Sequence, residues 1–462
     1  MAGRKRYSVV RDPVHGDVYM THEELAILDT PEMQRLRGVK QLGTAYLVFP
    51  GAVHTRFDHS IGCLHVTQRM IDSINLSFEL DPAGSLKVSD EEARVVRIAA
   101  LVHDITHIPF GHNIEDQDGI FWRHDSAHRF QHMLGNTTGV GRLLRDLGVR
   151  DDVLAILGAA APDGERIPPY WTQIVSGTIS SDILDYLARD AYFTGLKLQV
   201  DPRVTSYFKI DRATGNLYID LAKHDLLRED ILSEIVRMLE ARYYFSERVY
   251  YHHAKVAAGA LVARAVELAL ATSKVTEEDF YDRTDASIFD MLERASVDAS
   301  PNEPEVKRLH AVVQGFRERR LPKRACVFPR YENAEVQEGL VQRYFSTGGA
   351  AARREAEERM SDLVRFATGR EIEVIVYCPA QRMQLKEARI HVRWPGEEEV
   401  RPLSEFSERV PRLADLERSY RDLWKFYVFA DTRDPALLAK VQEVAIEEFS
   451  EATNVYDATS QG

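Results

Sequence analysis

The adjacent pair His103 and Asp104 is the sequence feature with the clearest chemical potential. It ends residues 89–104, a predicted helix whose last turns are apolar nearly all round and should therefore be buried. Burial of an unpaired imidazole and carboxylate costs several kcal/mol, and a divalent cation would supply the missing charge. Backbone hydrogen bonds to two core polar groups are the alternative. The two other His-Asp pairs, which start at residues 124 and 224, lack this apolar context.

Two further segments are rich in groups that bind metals or phosphates. Residues 53–60 contain two histidines, an arginine and an aspartate at a predicted helix start. In the second segment, Asp182, Asp185, Tyr186 and Arg189 have the spacing i, i+3, i+4 and i+7, which places them on one face of a helix. A polar stripe of this kind is also typical of a solvated surface, and that alternative stays open.

Together these segments provide two imidazoles and two carboxylates for one metal site: His59, His103, Asp104 and Asp182. A mixed nitrogen and oxygen set without a thiolate suits Fe, Mn, Zn or Mg and leaves positions for water and a phosphate oxygen. Water bound to such a metal is a competent nucleophile near neutral pH, and the cation offsets charge on the attacked phosphoryl group. The sequence therefore predicts one divalent metal per subunit and hydrolysis of a phosphate ester.

Helical patterns dominate the 462-residue chain up to about residue 320. A hairpin is predicted over residues 7–20, around turn signals at Asp12-Pro13 and Gly16. Helices are predicted at residues 30–37, 58–76, 89–104, 124–158, 172–194, 226–272 and 304–319. Beyond residue 320, strands are predicted at 373–378 and 388–394, and helices at 351–367, 412–424 and 434–450. We therefore expect a mainly α fold, with a helical core over residues 1–320 and a smaller C-terminal α+β lobe over residues 321–462.

Composition disfavours several classes of protein. The formal net charge of −13 argues against a nucleic-acid-binding surface, which needs a basic stripe. No apolar run reaches the roughly 18–20 residues of a membrane span, and the first residues lack the apolar stretch of a signal peptide, so we expect a cytoplasmic protein. Cys63, Cys326 and Cys378 show no CxxC spacing, and we expect neither a disulfide framework nor a cysteine zinc site.

Several motifs resemble one known family. They are residues 11–16 (RDPVHG), 29–31 (DTP), 34–37 (QRLR), 40–43 (KQLG), 48–52 (VFPGA) with His54, Arg56 and His59, 103–112 (HDITHIPFGH), 122–125 (WRHD) and 182–190. In this order they resemble the HD superfamily, and more narrowly the sterile-alpha-motif-and-HD-domain dNTP triphosphohydrolases and their bacterial relatives. The resemblance spans residues 7 to about 255 and implies an HD-domain helical core in a homologue without the sterile-alpha-motif domain.

The resemblance implies a role for individual residues. His59, His103, Asp104 and Asp182 match the metal ligands. His107, His112 and His124 match histidines around the scissile phosphate, with His112 as general acid toward the leaving 5′-oxygen and Asp104 also part of the catalytic set. Matches to substrate-binding residues are Arg56 and Arg242 for the triphosphate, Tyr186 and Asp190 for phosphate and the sugar 3′-hydroxyl, and Gln41, Leu42 and Tyr250 for the wall that excludes a 2′-hydroxyl. The implied reaction converts a dNTP and water to a deoxynucleoside and inorganic triphosphate.

Two positions depart from the family pattern. The triphosphate-binding lysine that follows the last metal ligand is Ile183 here, and a histidine of the long helix is Ser246. These departures keep open a weaker affinity for triphosphates or another substrate, such as a nucleoside monophosphate or a cyclic or oligomeric nucleotide. A non-catalytic nucleotide sensor or partner-binding scaffold is the alternative from a different functional class.

The resemblance also implies a regulatory guanine-nucleotide site between subunits. Asp29, Gln34 and Arg37 match its Asp-Gln-Arg set, and Val9 belongs to the same predicted site. Ser8 and Arg11 stand where the family has a lysine and an asparagine. We therefore expect a homo-oligomer, dimer or tetramer, that GTP or dGTP could activate. An ordinary helix-face network at a constitutive oligomer interface is the alternative.

Overall fold

Helices dominate the computed structural model, which describes residues 7–117, 120–160, 166–198, 201–297, 304–380 and 389–458. The helices are α1 (His22–Leu28), α2 (Pro31–Arg35), α3 (Arg56–Leu80), α4 (Asp90–Val102), α5 (Gly111–Glu115), α6 (Ala127–Met133), α7 (Gly139–Asp146), α8 (Arg150–Ile156), α9 (Pro169–Ser176), α10 (Ser181–Thr194), α11 (Glu229–Phe245), α12 (His253–Ala271), α13 (Asp285–Val297), α14 (Pro304–Arg317), α15 (Arg330–Asn333), α16 (Gln337–Leu340), α17 (Ala350–Thr368), α18 (Pro411–Asp422) and α19 (Pro435–Glu448). The strands are β1 (Ser8–Asp12), β2 (Gly16–Met20), β3 (Phe208–Ile210), β4 (Leu217–Asp220), β5 (Ala222–Lys223), β6 (Leu226–Leu227), β7 (Lys323–Pro329), β8 (Val374–Tyr377), β9 (His391–Arg393), β10 (Val400–Pro402) and β11 (Lys425–Ala430). The expected mainly α fold with a smaller α+β region is confirmed.

Helix α3 lies between α4 and α10, and these three helices carry most of the residues with chemical potential. Each begins at a residue whose side chain accepts a hydrogen bond from the first turn: Thr55 for α3, Ser89 for α4 and Ser180 for α10. Residues 95–102 of α4 are all buried, as their apolar pattern predicts. The packing brings the first turns of α3 and α10 to the last turn of α4.

The predicted N-terminal hairpin is present. Strands β1 and β2 pair antiparallel with Ser8 opposite Met20. Gly16 has a φ of +76°, in the left-handed region that favours glycine, and it supplies the turn. Val18 and Met20 are buried, whereas Val9 and Tyr19 are exposed on the other face.

Three predicted helices are interrupted. The predicted helix 226–272 begins with strand β6 at Leu226–Leu227 and continues as α11 and α12, with a π-helical turn over Ser246–Tyr250 between them. Residues 124–158 contain α6, α7 and α8, because the Thr138 side chain caps a new helix and Gly148 has a φ of +72°. The predicted helix 172–194 is divided at Gly177, which ends α9 in an extended conformation.

Two sheets organise the C-terminal region. Strand β11 is central in the first, antiparallel to both β7 and β8, with α17 packed on β8 and α19 on β7 and β11. The second has the order β10-β9-β4-β3, and β9 pairs parallel with β4. This sheet contains strands from both sides of residue 320, the predicted domain boundary. The boundary itself stays a prediction. Of the predicted strand 388–394, residue 388 lies outside the described residues.

Strand β8 contacts the short helix α5. The Tyr377 hydroxyl donates to the carbonyl of Asn113 at 3.2 Å, and the Gln117 side-chain amide donates to the carbonyl of Cys378 at 2.7 Å. The C-terminal region therefore supports the helix that bears His112. Within the part of the chain that the structure describes, no helix combines the length and apolar character that a membrane crossing requires.

Candidate active site

Donor atoms from α3, from the end of α4 and from α10 meet at one point. His59 Nε2 lies 3.1 Å from Asp182 Oδ1 and 3.8 Å from Asp104 Oδ2. His103 Nε2 lies 3.4 Å from Asp104 Oδ1 and 3.8 Å from Asp182 Oδ1. Two ligands bound to one ion at about 2.1 Å lie roughly 3.0–3.4 Å apart, so His59, His103 and Asp182 are within reach of a single cation after small adjustments, and Asp104 lies beside them.

His103 provides a test of whether a cation fits this cluster. Its Nδ1 donates to the carbonyl of Ala100 at 2.8 Å, whereas its buried Nε2 has no hydrogen-bond partner among the described residues. Burial opposes a charged imidazole, yet Asp104 and Asp182 raise the pKa of His103. The cluster therefore favours a positive charge between the imidazoles and the carboxylates. A divalent cation fits this requirement, and the two-nitrogen, two-oxygen donor set suits Fe, Mn or Zn.

Asp104 contacts both the histidines of the cluster and a neighbouring arginine. Arg56 Nη1 donates to Asp104 Oδ2 at 2.6 Å, while His107 Nε2 lies 3.3 Å from Asp104 Oδ1. Although burial opposes it, Arg56, His103 and His107 hold the pKa of Asp104 well below its usual range. Arg56 Nε is buried without a hydrogen-bond partner among the described residues, so a donor remains for a ligand at this point.

Three histidines form a second group beside Asp104. The ring centres of His107 and His124 are 3.8 Å apart in a stacked arrangement, and those of His107 and His112 are 5.2 Å apart. His124 Nδ1 donates to Glu115 Oε2 at 2.8 Å, and Arg129 holds the other oxygen of Glu115 at 2.5 Å. His112 is the exposed member of the group. Burial, with Arg56 and His124 nearby, lowers the pKa of His107 well below its usual value and keeps this ring neutral.

Asp190 lies at the other end of α10 from Asp182 and is held by two partners. His54 Nε2 donates to Asp190 Oδ1 at 2.7 Å, and the Tyr250 hydroxyl donates to Asp190 Oδ2 at 2.9 Å. The backbone N–H of Gln41 donates to the carbonyl of His54 at 3.0 Å, which places Gln41 and Leu42 beside this group. The Gln41 side-chain oxygen is buried and has no hydrogen-bond partner among the described residues.

Arg242, in the last turn of α11, lies among tyrosines. Although burial opposes it, the nearby hydroxyl groups of Tyr186, Tyr420 and Tyr250 raise the pKa of Arg242, and Asp182 adds to the effect. Burial raises the pKa of Tyr186, so its phenol stays protonated near neutral pH. Arg242 and Tyr186 are thus within electrostatic reach of Asp182.

Comparison with known proteins fits this geometry. Residues 56–190 match the family described as HD domain, and residues 225–453 match the HD associated region. The chain carries an HD domain and an HD-associated region. The fold is similar to the crystal structure of a hypothetical protein from Aquifex aeolicus. The two structures superpose with a TM-score of 0.63 and 23% identity, over 95% of this chain and 100% of the other.

Relatives of this HD-domain protein include one with a described activity. This chain is 29% identical over 272 residues to deoxynucleoside triphosphate triphosphohydrolase SAMHD1 of Homo sapiens. The aligned part covers 53% of this chain and 42% of that protein. The chain is 31% identical over 249 residues to the uncharacterized protein YwfO of Bacillus subtilis (53% and 52%) and 28% identical over 286 residues to the uncharacterized protein MJ1154 of Methanocaldococcus jannaschii (62% and 54%). The match therefore spans about half the length of each relative.

The sequence did not predict the buried hydrogen-bond network around Asp185, which lies beside His59. Asp185 accepts hydrogen bonds from His59 Nδ1 at 2.7 Å, from His15 Nε2 at 2.6 Å and from Arg189 at 2.8 and 2.9 Å. Arg189 also donates to Asp12 at 2.7 Å. The i, i+4 spacing of Asp185 and Arg189 was a usable signal for an ion pair. Nothing in the sequence pairs His15 with a residue 170 positions away.

A cysteine also lies beside the cluster of this HD-domain protein. Cys63 Sγ is 3.5 Å from both ring nitrogens of His59, one helical turn along α3. Burial raises the pKa of this thiol well above its ordinary value. Because the thiolate is the metal-binding form, the expected ligand set of imidazoles and carboxylates remains the better candidate.

The residues of the predicted regulatory site lie in the N-terminal part of the HD-domain protein. Arg37 Nε donates to Gln34 Oε1 at 2.8 Å, and its guanidinium lies 3.6 Å from the ring centre of Phe57. Asp29 ends α1, and Val9 is on the exposed face of the hairpin. The Gln34 side-chain amide donates to the carbonyl of Leu28 at 2.8 Å. These contacts are compatible with a nucleotide site and with the alternative of a helix-face network.

Proposed function

We propose that this HD-domain protein is a metal-dependent phosphohydrolase that converts a dNTP and water to a deoxynucleoside and inorganic triphosphate. The observation that carries the proposal is the convergence of His59, His103, Asp104 and Asp182 beside the Arg56 guanidinium. The partial similarity to SAMHD1, whose printed name describes this reaction, supports the choice of substrate. When bound, a divalent cation supplies an activated water and offsets charge on the attacked phosphoryl group.

The chain's own residues supply the remaining functions. Arg56 keeps Nη1 on Asp104 and has Nε without a partner among the described residues, so its planar fork can bind a phosphate oxygen at the same centre. His112 is the exposed imidazole of the histidine group, which suits it to protonate a leaving 5′-oxygen. Glu115 fixes the tautomer of His124 by accepting from Nδ1, which leaves Nε2 of that ring as an acceptor.

The sugar end of the proposed site favours deoxyribose. The Asp190 carboxylate, held by His54 and Tyr250, can accept a hydrogen bond from a 3′-hydroxyl. The backbone hydrogen bond between Gln41 and His54 supports the proposal that Gln41 and Leu42 form the wall that would meet a 2′-hydroxyl. Arg242 and Tyr186 complete the binding site at the triphosphate end.

One observation favours a second candidate, an HD phosphohydrolase for another phosphate ester. Ile183 directly follows Asp182 and is buried, so the position offers no cation to a triphosphate. A nucleoside monophosphate or a cyclic or oligomeric nucleotide would need fewer cations. The identity of the released phosphate distinguishes the two candidates, because inorganic triphosphate is released only in the first.

The decisive experiment identifies the products from each dNTP. The protein, loaded in turn with Fe, Mn, Zn or Mg, is incubated with each of the four dNTPs, and the phosphate species are separated by ion-exchange chromatography. We expect inorganic triphosphate and a deoxynucleoside with the wild type, and a loss of about 100-fold or more with Asp104→Asn. Asp225→Asn is the matched control, because it changes the aspartate of an exposed His-Asp pair. Release of inorganic phosphate alone, or no metal binding by the folded protein, would contradict the proposal.

We further propose that GTP or dGTP activates a homo-oligomer through Val9, Asp29, Gln34 and Arg37. The support is the hydrogen-bonded pair of Gln34 and Arg37 at the surface, together with the exposure of Val9 on the hairpin. Size-exclusion chromatography and dNTP turnover, each with and without GTP, test this regulation. An unchanged oligomer together with unchanged turnover would remove the activator from the proposal.

A further inference from the structure

Tyr420 brings the C-terminal region to the proposed substrate site. It lies on α18, which packs against α11, and its side chain is buried. Its hydroxyl is 3.2 Å from Ser246 Oγ, in the π-helical turn that follows α11. Its ring centre is 6.3 Å from that of Tyr243. Among the site residues described above, Tyr420 is the one supplied by the chain beyond residue 320.

The hydroxyl of Tyr420 lies beside Ser246, one helical turn along the chain from Arg242, a residue of the proposed phosphate end. Ser246 follows Arg242 by four residues, so both lie on one side of the continuing helix. The electrostatic partners of Arg242 include Tyr420 as well as Tyr186. The Tyr420 phenol is therefore within electrostatic reach of the guanidinium, and its hydroxyl contacts the small hydroxyl of Ser246, one helical turn after Arg242.

Position 246 explains why a phenol can occupy this place. The family pattern has a histidine there, whereas the buried Ser246 leaves room for the Tyr420 hydroxyl at hydrogen-bonding distance. A larger side chain at position 246 would meet that hydroxyl. In this chain the Tyr420 hydroxyl, which comes from α18, takes the place of the histidine side chain that the family pattern has at position 246.

We propose that Tyr420 binds the polyphosphate of the substrate, donating its O–H to a phosphate oxygen beside Arg242 and Tyr186. A phenol hydroxyl can accept one hydrogen bond and donate another, so Tyr420 can accept from Ser246 and still donate to a phosphate oxygen. Donation to an anionic oxygen is stronger than donation to a neutral one, which gives the contact a measurable effect on affinity. The inference rests on the proposed function for the assignment of the phosphate end, and it gives the chain beyond residue 320 a direct part in substrate binding.

The test compares Tyr420→Phe with Tyr243→Phe. Tyr243 is the matched control because its ring packs near that of Tyr420. The charged groups that influence its hydroxyl are Glu247 and Asp422 rather than Arg242. For Tyr420→Phe we expect the KM for dNTPs to rise about 5- to 20-fold, with kcat changed less than about twofold and a fall in Tm no larger than that of Ser246→Ala. Isothermal titration with inorganic triphosphate should show the same loss of affinity, whereas binding of a deoxynucleoside should not change.

Ser246→Ala separates a binding role from a structural one. If the Ser246–Tyr420 contact only joined α18 to the long helix, Ser246→Ala and Tyr420→Phe would lower Tm equally and leave KM unchanged, and that result would overturn the inference. The proposed function can fail by itself. If the wild type does not hydrolyse dNTPs, yet Tyr420→Phe weakens its binding of inorganic triphosphate, the reaction is refuted and the Tyr420 contact is supported. A wild type that hydrolyses dNTPs with a KM insensitive to Tyr420→Phe would refute only the contact.

Discussion

Asp185 accepts a hydrogen bond from His59 Nδ1 at 2.7 Å, and this contact decides which nitrogen of His59 faces the other metal-binding groups. The Asp185 carboxylate is ionised, because Arg189, His15 and His59 hold its pKa well below the ordinary range although burial opposes this. An ionised carboxylate can only accept, so Nδ1 carries a proton and Nε2 is the ring nitrogen that faces Asp182 and that a cation could bind. Arg189 extends the arrangement to Asp12 in the hairpin, which links the N-terminal strands to the cluster.

Asp185→Asn should therefore weaken metal binding without removing a ligand. A neutral amide holds the His59 ring less firmly and makes its Nε2 a poorer donor, and changes of this kind typically cost about 10- to 100-fold in metal affinity. Metal content after dialysis against a weak chelator measures the effect, normalised to the folded fraction from circular dichroism. Asp72→Asn, on the exposed side of the same α3, is the control. Full metal retention by a folded Asp185→Asn protein would show that the contact has no part in the site.

Glu115→Gln should lower turnover while the metal content stays at the wild-type level. Glu115 accepts from His124 Nδ1 at 2.8 Å and from Arg129, and both contacts lower its pKa well below the ordinary value although burial opposes this. The amide can still accept one hydrogen bond but cannot hold an imidazolium that forms during proton transfer. We expect kcat to fall about 10- to 100-fold, within the range of a general acid–base contribution. A parallel loss of metal would instead place Glu115 among the groups that maintain the cluster.

The sequence singled out the four residues that the structure brings together because each had an unusual context of its own, and their role as metal ligands stays a prediction. His103 and Asp104 end a buried helix, and His59 and Asp182 lie in first turns dense with polar groups. The polar stripe on α10 proved to be buried at Asp185 and Arg189, so the solvated-surface interpretation does not apply to those two positions.

Other features depend on contacts that no local pattern records. The hydrogen bond between His15 and Asp185 joins residues 170 positions apart, and the contact of Ser246 with Tyr420 spans 174. The π-helical turn at Ser246–Tyr250 sits in a sequence with continuous helical periodicity, which is why a single long helix was predicted there. By contrast, the breaks between α6, α7 and α8 follow Gly-Asn-Thr-Thr and Leu-Gly-Val segments that were visible in the sequence.

Lys255→Met should stabilise the protein near neutral pH, and the gain should disappear in alkaline solution. Burial lowers the pKa of Lys255 from 10.5 to about 8, although Asp116 and Asp190 oppose the change. Below pH 8 both the folded and the unfolded chain carry the proton, so the cost of the buried charge is fully present. Between pH 8 and 10.5 the unfolded chain binds more protons, and the free energy of unfolding of the wild type rises with pH relative to the variant.

The expected gain for Lys255→Met is about 1–2 kcal/mol at pH 7. A pKa difference of one corresponds to about 1.4 kcal/mol, and the residual solvent contact of this partly buried side chain reduces the total. Tm values of the variant and the wild type at several pH values between 7 and 10 provide the measurement. Lys274→Met, at an exposed position after the same helix, should shift Tm by much less. A gain that persists at pH 10 would mean that the methionine acts through packing rather than through the removed charge.

Ile183→Lys should lower the KM for dNTPs if triphosphate is the natural ligand. Ile183 occupies the turn of α10 directly after Asp182 and is buried, and the family pattern places a triphosphate-binding lysine there. A flexible ammonium at this point would add a cation to the group formed by Arg56 and Arg242, and the affinity for inorganic triphosphate should rise with it. Ile183→Met is the matched control, because it has a similar length and no charge. If Ile183→Lys folds, retains its metal and yet binds dNTPs no better than Ile183→Met, the site is adapted to a smaller phosphate ester, and hydrolysis of nucleoside monophosphates and cyclic nucleotides becomes the reaction to measure.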